Sequence, residues 1–369
     1  MSWIDETLAL LLPSEEETVL LQACLLTGAP AREAWDRCRA DPERLASARA
    51  LLPLLAASAA ANEPRIDPAT LAFLRAAALR EDLRAGRFRR IVAEALAGLA
   101  DAGPPVLVTR GAALAATVYR APSHRHCHDL DLLVPNGDVA AAADALHRIG
   151  WTGPATRLRH PSGVEAALHA TVFDVPYFAA PLDEFVRGSE TVAIEGAAAR
   201  VPSAESTLIH VLGHAASSSS RRRLCWVTDA WHLLVHRADL RWTEVVARLG
   251  ACGLALPASV MLEYLGRLGA PVPTASLAAL VQRARAAGRA EEDAAVAGTY
   301  RGAGGDLGRL WRAQRSWRGR LGVARWALAP SAGYVRTALA PRRDWLLPLC
   351  YLYRPVRYLA GALGGPTRG

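Results

Sequence analysis

The chain has 369 residues, 51% of them apolar, enough to bury a sizeable core and unlike a disordered or fibrous sequence. Its formal charge is +8 and every basic residue is Arg, which excludes lysine chemistry such as a Schiff base or a phosphate-gripping ammonium. Six scattered cysteines without a C-x-x-C pair, and no cationic-apolar leader, predict reduced thiols and a cytoplasmic protein.

Residues from about 14 to 102 read as helices in series. Ser14-Glu15-Glu16-Glu17 supplies an N-cap with acids in the first turn, and Pro30, Asp41-Pro42 and Asp67-Pro68 mark further helix starts. Apolar positions through Leu71–Leu99 recur at helical spacing, predicting one or two amphipathic helices with Arg on the wet face. This region reads as support without chemistry.

A short apolar strand, Val106–Val108, comes next. Gly111 opens an Ala-rich helix reaching about Tyr119, and after a Pro-containing turn a second strand covers Asp129–Val134. Alternate strand residues share a face, so Asp129 and Asp131 point one way and Leu130, Leu132 and Val134 the other. Two carboxylates side by side repel and raise each other's pKa; a divalent cation between them removes that cost, and oxygen ligands suit Mg²⁺ or Mn²⁺. Gly111 lets the backbone turn tightly at a helix N-terminus, where free N–H groups can face a phosphate. Together these features describe a metal–nucleotide site.

Beyond it, Asp138–Ile149 reads as a helix capped by Asn136 or Asp138. Gly163–Phe173 reads as a strand with Glu165, Ala167 and His169 on one face, and Thr191–Val201 as a strand or a hairpin turning at Glu195-Gly196. Pro202 separates this region from further helices: one from the Ser203–Glu205 cap through His214, a polar loop Ser217–Arg223, then Leu224–His236. Residues 240–300 read as short helices broken at Gly250, Gly253, Pro257 and Pro271. The expected organisation is 1–102 helical, 103–202 α/β, 203–300 helical, and a basic Arg/Trp tail over 301–369.

That tail holds thirteen Arg against Asp306 and Asp344, a net of +11, so the first 300 residues carry −3. Trp311, Trp317, Trp326 and Trp345 are interleaved with the Arg. A membrane-surface amphipath, a covering helix layer and a nucleic-acid face are the three readings; nucleic acid ranks last because no nucleic-acid-reading module precedes it. Trp345–Gly364, the nearest approach to a membrane span, is interrupted by Pro348, Arg354, Pro355 and Arg357.

Other polar clusters carry weaker signals. His124, His126 and His128 flank Cys127 at alternate spacing, as zinc ligands can, but a polar loop leading into the strand is the plainer reading. His210 and His214 are four apart on a helix, yet Val211 stands where a zincin carries Glu, so a packed or partly exposed pair is expected. The Ser217–Arg223 loop is cationic and either solvated or able to hold an anion.

Arg110-Gly111-Ala112-Ala113-Leu114, followed by Arg125 and the strand Asp129-Leu130-Asp131-Leu132-Leu133-Val134, resembles the signature of the uncharacterised nucleotidyltransferase family within the DNA polymerase beta superfamily. His214, Trp226 and Asp229 also resemble a family pattern. The resemblance implies an α+β fold: a polymerase-beta-like core of a small mixed sheet with helices, flanked by N- and C-terminal helical regions. It implies transfer of a nucleoside monophosphate from a nucleoside triphosphate to an acceptor, with a small molecule or a peptide conceivable as that acceptor. Asp129 and Asp131 would then hold metal, while Arg110, Gly111, Ala112 and Arg125 would hold the nucleotide. The superfamily's third carboxylate falls at Ala167 here; Glu165, about 7 Å along the strand, or His169 would take its place as base, or the site is impaired and only binds.

Overall fold

The computed structural model describes residues 2–38, 42–46, 48–102, 105–134, 138–217, 223–302, 305–341 and 343–353. Six helices come first: α1 (Trp3–Leu8), α2 (Glu15–Leu25), α3 (Ala29–Cys38), α4 (Pro42–Ala46), α5 (Leu52–Asn62) and α6 (Pro68–Ala102). Their starts follow from local chemistry. Ser14 accepts the Glu17 N–H while Glu17 accepts the Ser14 N–H, and Ser2 and Asp5 repeat this capping box on α1. Asp67 accepts the Thr70 N–H at 2.9 Å and so starts α6, one continuous helix of 35 residues.

The central sheet is built from β1 (Leu107–Thr109), β2 (Asp129–Leu133), β3 (Leu158–Arg159) and β4 (Glu165–His169), with α7 (Arg110–Thr117) between β1 and β2 and α8 (Val139–Arg148) after β2. The strand order is β1-β2-β4-β3, parallel only between β2 and β4, so the sheet is small and mixed as expected. β4 is shorter than the Gly163–Phe173 expected, and β3 was not foreseen. Asp138 takes the N-cap position of α8 without a side-chain cap bond, and Asn136 lies outside the described residues.

The α9 helix (Leu182–Arg187) leads to a separate hairpin, β5 (Glu190–Ile194) and β6 (Ala197–Val201). Its turn falls on Glu195 and Gly196, both with positive φ (48° and 82°), the mirror-image turn whose twist matches that of the strands.

Alternation along the strands sorts the sheet's two faces. Val108, Leu130, Leu132, Val134, Ala166 and Leu168 are buried with Phe88, Val92, Leu96 and Leu99 of α6 and Leu146 of α8. Each such aliphatic side chain contributes about 1.5–3 kcal/mol by leaving water. Leu107 and Leu133 belong instead to the main core. That core takes in α10 (Ala204–Ser217), α11 (Arg223–His236), α12 (Trp242–Ala251), α13 (Ala255–Leu268), α14 (Thr274–Arg285) and α15 (Arg289–Gly302), along with α16 (Leu307–Ala313), α17 (Trp317–Leu328) and α18 (Ala332–Leu339). It also holds Ile4, Leu8 and Trp35, so the first and last helices share one interior.

Two of the expected breaks fall inside helices. Gly250 sits within α12 because Arg283 fills the space a Cβ would take, and Pro257 lies in the first turn of α13, where its missing N–H has no helical partner to lose. Gly213 lets α10 close on the sheet's connecting loop: a Cβ there would stand 2.3 Å from the Phe173 ring.

Candidate functional site

Asp129 and Asp131 share one face of β2, as the alternation requires, and both line a cavity of about 260 Å³ between the sheet edge and α10, α11 and α15. Thr109, Arg110, Gly111, Ala113 and Leu114 line it from the β1–α7 junction, and His210, His214, Trp226 and Asp229 from the helical side. Thr109 opposes Asp131 in the β1–β2 register and gives its hydroxyl to the Asp131 carbonyl at 3.2 Å. That hydroxyl therefore does not cap α7, and the helix N-terminus has no side-chain cap.

Asp131 is nearly buried and does not stand alone. Its Oδ1 accepts from Arg110 Nη1 at 2.9 Å and from His169 Nε2 at 2.8 Å. Arg110 Nη2 donates to Asp174 Oδ2 at 3.0 Å, and His169 Nδ1 lies 3.3 Å from Asp174 Oδ1. Two acids and two bases thus close a ring. Burial works to raise the Asp131 carboxyl, but the bond from His169 and the charge of Arg110 outweigh it and hold it at about 2. Burial lowers His169, yet its bonds to Asp131 and Asp174 prevail and raise it to about 9. His169 hydrogen-bonds Asp174 and holds it well below the usual carboxylate range against its partial burial, with Arg110 adding its charge.

Arg110 has a left-handed backbone (φ 55°), uncommon for a residue with a Cβ and a cost of order 1 kcal/mol that the ring's ion pairs offset. Its Nε is buried with no partner among the described residues.

Both bonds of Asp131 use Oδ1, so Oδ2 takes no partner among the described residues. Asp129 is about one-third exposed, with the exposed His128 Nε2 3.6 Å from its Oδ2. Among the described residues no cluster of three or more His, Cys, Asp or Glu could hold a metal.

The other expected residues scatter. Gly111 lines the cavity and packs tightly, since a Cβ there would stand 3.0 Å from Cys127 Sγ. Ala112 is buried in the core behind β2 rather than at the cavity, because the helix turns it inward. Arg125 lines the cavity but is pinned: its Nε and Nη2 donate to Asp229 at 2.7 and 2.9 Å, and Tyr119 gives its hydroxyl to the same carboxylate at 2.7 Å. Its guanidinium positions α11 against the sheet instead of standing free for phosphate.

Glu165 pairs with Asp129 in the β2–β4 register, yet its carboxylate goes to Arg157 and Arg159 and it does not line the cavity. Ala167 opposes Asp131 in the β2–β4 register, so no acid stands beside it at that position. Both His169 ring nitrogens face carboxylates, which leaves no lone pair turned toward a substrate proton.

The three histidines before β2 do not converge on a common centre. His126 Nδ1 meets Glu81 at 3.0 Å, His128 leans on Asp129, and His124 is lowered by its own burial. His210 and His214 pack edge to face, with burial lowering His210 to about 3. Asp174 and the Arg125–Asp229 pairing were not anticipated. The loop expected at Ser217–Arg223 lies mostly outside the described residues.

Residues 42–269 match a family model described as an uncharacterised nucleotidyltransferase. Comparison with curated proteins and with solved structures found no match.

Proposed function

The chain belongs to the uncharacterised nucleotidyltransferase family, and from that premise we propose that it transfers a nucleoside monophosphate from a nucleoside triphosphate to an acceptor hydroxyl. The observation that carries this reading is the meeting of Asp129, Asp131 and the uncapped start of α7 at one cavity. N–H groups at a helix N-terminus suit phosphate oxygens, and the dipole favours negative charge there.

The donor chemistry fits Mg²⁺ or Mn²⁺. Such hard ions take one or two protein carboxylates and complete their shell with water and substrate phosphate, and Asp129 with Oδ2 of Asp131 would supply the protein's share. An ion held there would supply Lewis-acid chemistry, polarising the phosphate and offsetting charge on the attacking and leaving oxygens. The acceptor oxygen bonds to the α-phosphorus as its proton passes to water, the bond from the α-phosphorus to the bridging oxygen breaks, and pyrophosphate leaves with that oxygen. Arg110 and His169 hold Asp131 in place and lower the negative charge that a triphosphate meets. Positioning and electrostatics supply most of the rate in such transfers, which suits a site with few reactive side chains.

The closed ring around Asp131 and the alanine at position 167 favour a second reading, in which the same cavity binds nucleotide without transferring it. Calorimetric titration with Mg–ATP and Mn–ATP, paired with a pyrophosphate-release assay across small-molecule and peptide hydroxyl acceptors, separates the two. Transfer requires metal-dependent binding together with pyrophosphate; the second reading requires binding alone. Equal affinity in the native protein and in Asp129→Asn/Asp131→Asn would remove the two-acid site from both.

A further inference from the structure

The C-terminal helices are apolar on two sides. In α17, Val323, Trp326 and Ala327 are buried, and the Trp326 indole donates to the Asp293 carbonyl at 3.0 Å. Trp317, Leu321 and Leu328 fall on the opposite side of the same helix and are each more than half exposed. Helical spacing places Arg318 and Arg325 along one border of this stripe and Arg320 along the other. Trp345, Leu349 and Leu352 repeat the pattern, again each more than half exposed, while Leu347 and Tyr351 turn to the core. Of the twelve large apolar side chains exposed among the described residues, eight fall between 311 and 353. This concentration coincides with the +11 segment of a chain that is otherwise slightly acidic.

We propose that α17 and the segment from Trp345 to Leu352 form a docking face for an anionic bilayer surface. Leu along each stripe, Trp at its start and, on α17, Arg along both borders match the layering of acyl chains, interface and headgroup phosphates; Arg stems lie along apolar surface while their guanidinium groups reach the phosphates. A nucleic-acid face would set Arg and aromatic groups centrally and have no use for exposed Leu. A second copy of the chain would bring two cationic faces together. No described helix is long and apolar enough to cross a membrane, so the contact lies along the surface.

Flotation of the full chain with vesicles tests this. Native protein rises with vesicles of phosphatidylcholine mixed with phosphatidylglycerol, stays down with phosphatidylcholine alone, and is released by salt. Trp317→Ser/Leu321→Ser/Leu328→Ser lowers the affinity by about 100-fold or more. Because those side chains are exposed, its melting temperature stays native-like. Trp345→Ser/Leu349→Ser/Leu352→Ser is the second variant, expected to weaken binding in the same way. Leu79→Ser/Leu83→Ser, equally exposed on α6, leaves flotation unchanged. Native protein that ignores anionic vesicles, or both triple variants floating as well as native, overturns the proposal. Retardation of an RNA oligonucleotide without vesicle binding overturns it as well and reassigns the face to nucleic acid.

Discussion

Replacing Asp229 with Ala removes the charge partner of a largely buried guanidinium. Arg125 and Asp229 are joined by two charge-assisted bonds of 2.7 and 2.9 Å, and both side chains are largely buried. Breaking such a pair from one side costs about 3–5 kcal/mol, because the surviving charge stays desolvated. Tyr119 also loses its acceptor, adding roughly 1 kcal/mol. Both members of the pair line the cavity, so water can reach the orphaned group, which places the expected total near 4 kcal/mol rather than 6. For a chain of this size that lowers Tm by roughly 2 °C per kcal/mol, about 8 °C. Circular dichroism melts of native protein, Asp229→Ala, Arg125→Leu and the double variant form a cycle. The double variant should regain much of the loss, since removing both charges is far cheaper than stranding one. A loss below about 1 kcal/mol for Asp229→Ala, or a double variant as unstable as the two singles added together, would refute the reasoning.

Three further outcomes are expected. Burial works to raise the Glu205 carboxyl, but bonds from Arg241 Nε (3.0 Å) and its N–H (3.2 Å) outweigh it and hold the pKa at about 2, below its usual 4.5. A lowered carboxyl stabilises the fold above 4.5 and loses that contribution as pH falls toward 2, so the Tm gap between native protein and Glu205→Gln should close over that interval. Gly213→Ala places a Cβ 2.3 Å from the Phe173 ring and 2.9 Å from Leu254; denaturant melts should show a loss of about 1–3 kcal/mol. Burial pushes the Cys127 thiol up to about 12, Cys252 up to about 11 and Cys24 higher still. In timed iodoacetamide labelling read by mass spectrometry, the partly exposed Cys38, Cys225 and Cys350 should react first, and the other three only after denaturation.

The features of this fold that are legible in the sequence are those a local pattern encodes. Period-two alternation put Asp129 and Asp131 on one face, the Glu195-Gly196 pair marked the hairpin turn, and the Ser14 cap and Asp67-Pro68 marked helix starts. Contacts between distant segments left no such trace. Arg110 reaches Asp131 across 21 residues and Asp174 across 64, and Arg125 reaches Asp229 across 104, distances at which spacing says nothing about proximity. Arg110 and Arg125 were therefore expected as phosphate ligands, because only the fold reveals that carboxylates already occupy them. β3, at two residues, is too short to show any period.

The uninterrupted length of α6 has a mechanical corollary. Glu81 and Arg84, in its middle, grip His126 and the Cys127 carbonyl just ahead of β2, while Phe88, Val92 and Leu96 lie against the sheet a few turns on. At 3.6 residues per turn, one residue inserted between Arg84 and Phe88 would rotate everything downstream by about 100°. Grip and backing would then face different directions, so the spacing inside this rod is as fixed as the identity of the side chains it presents.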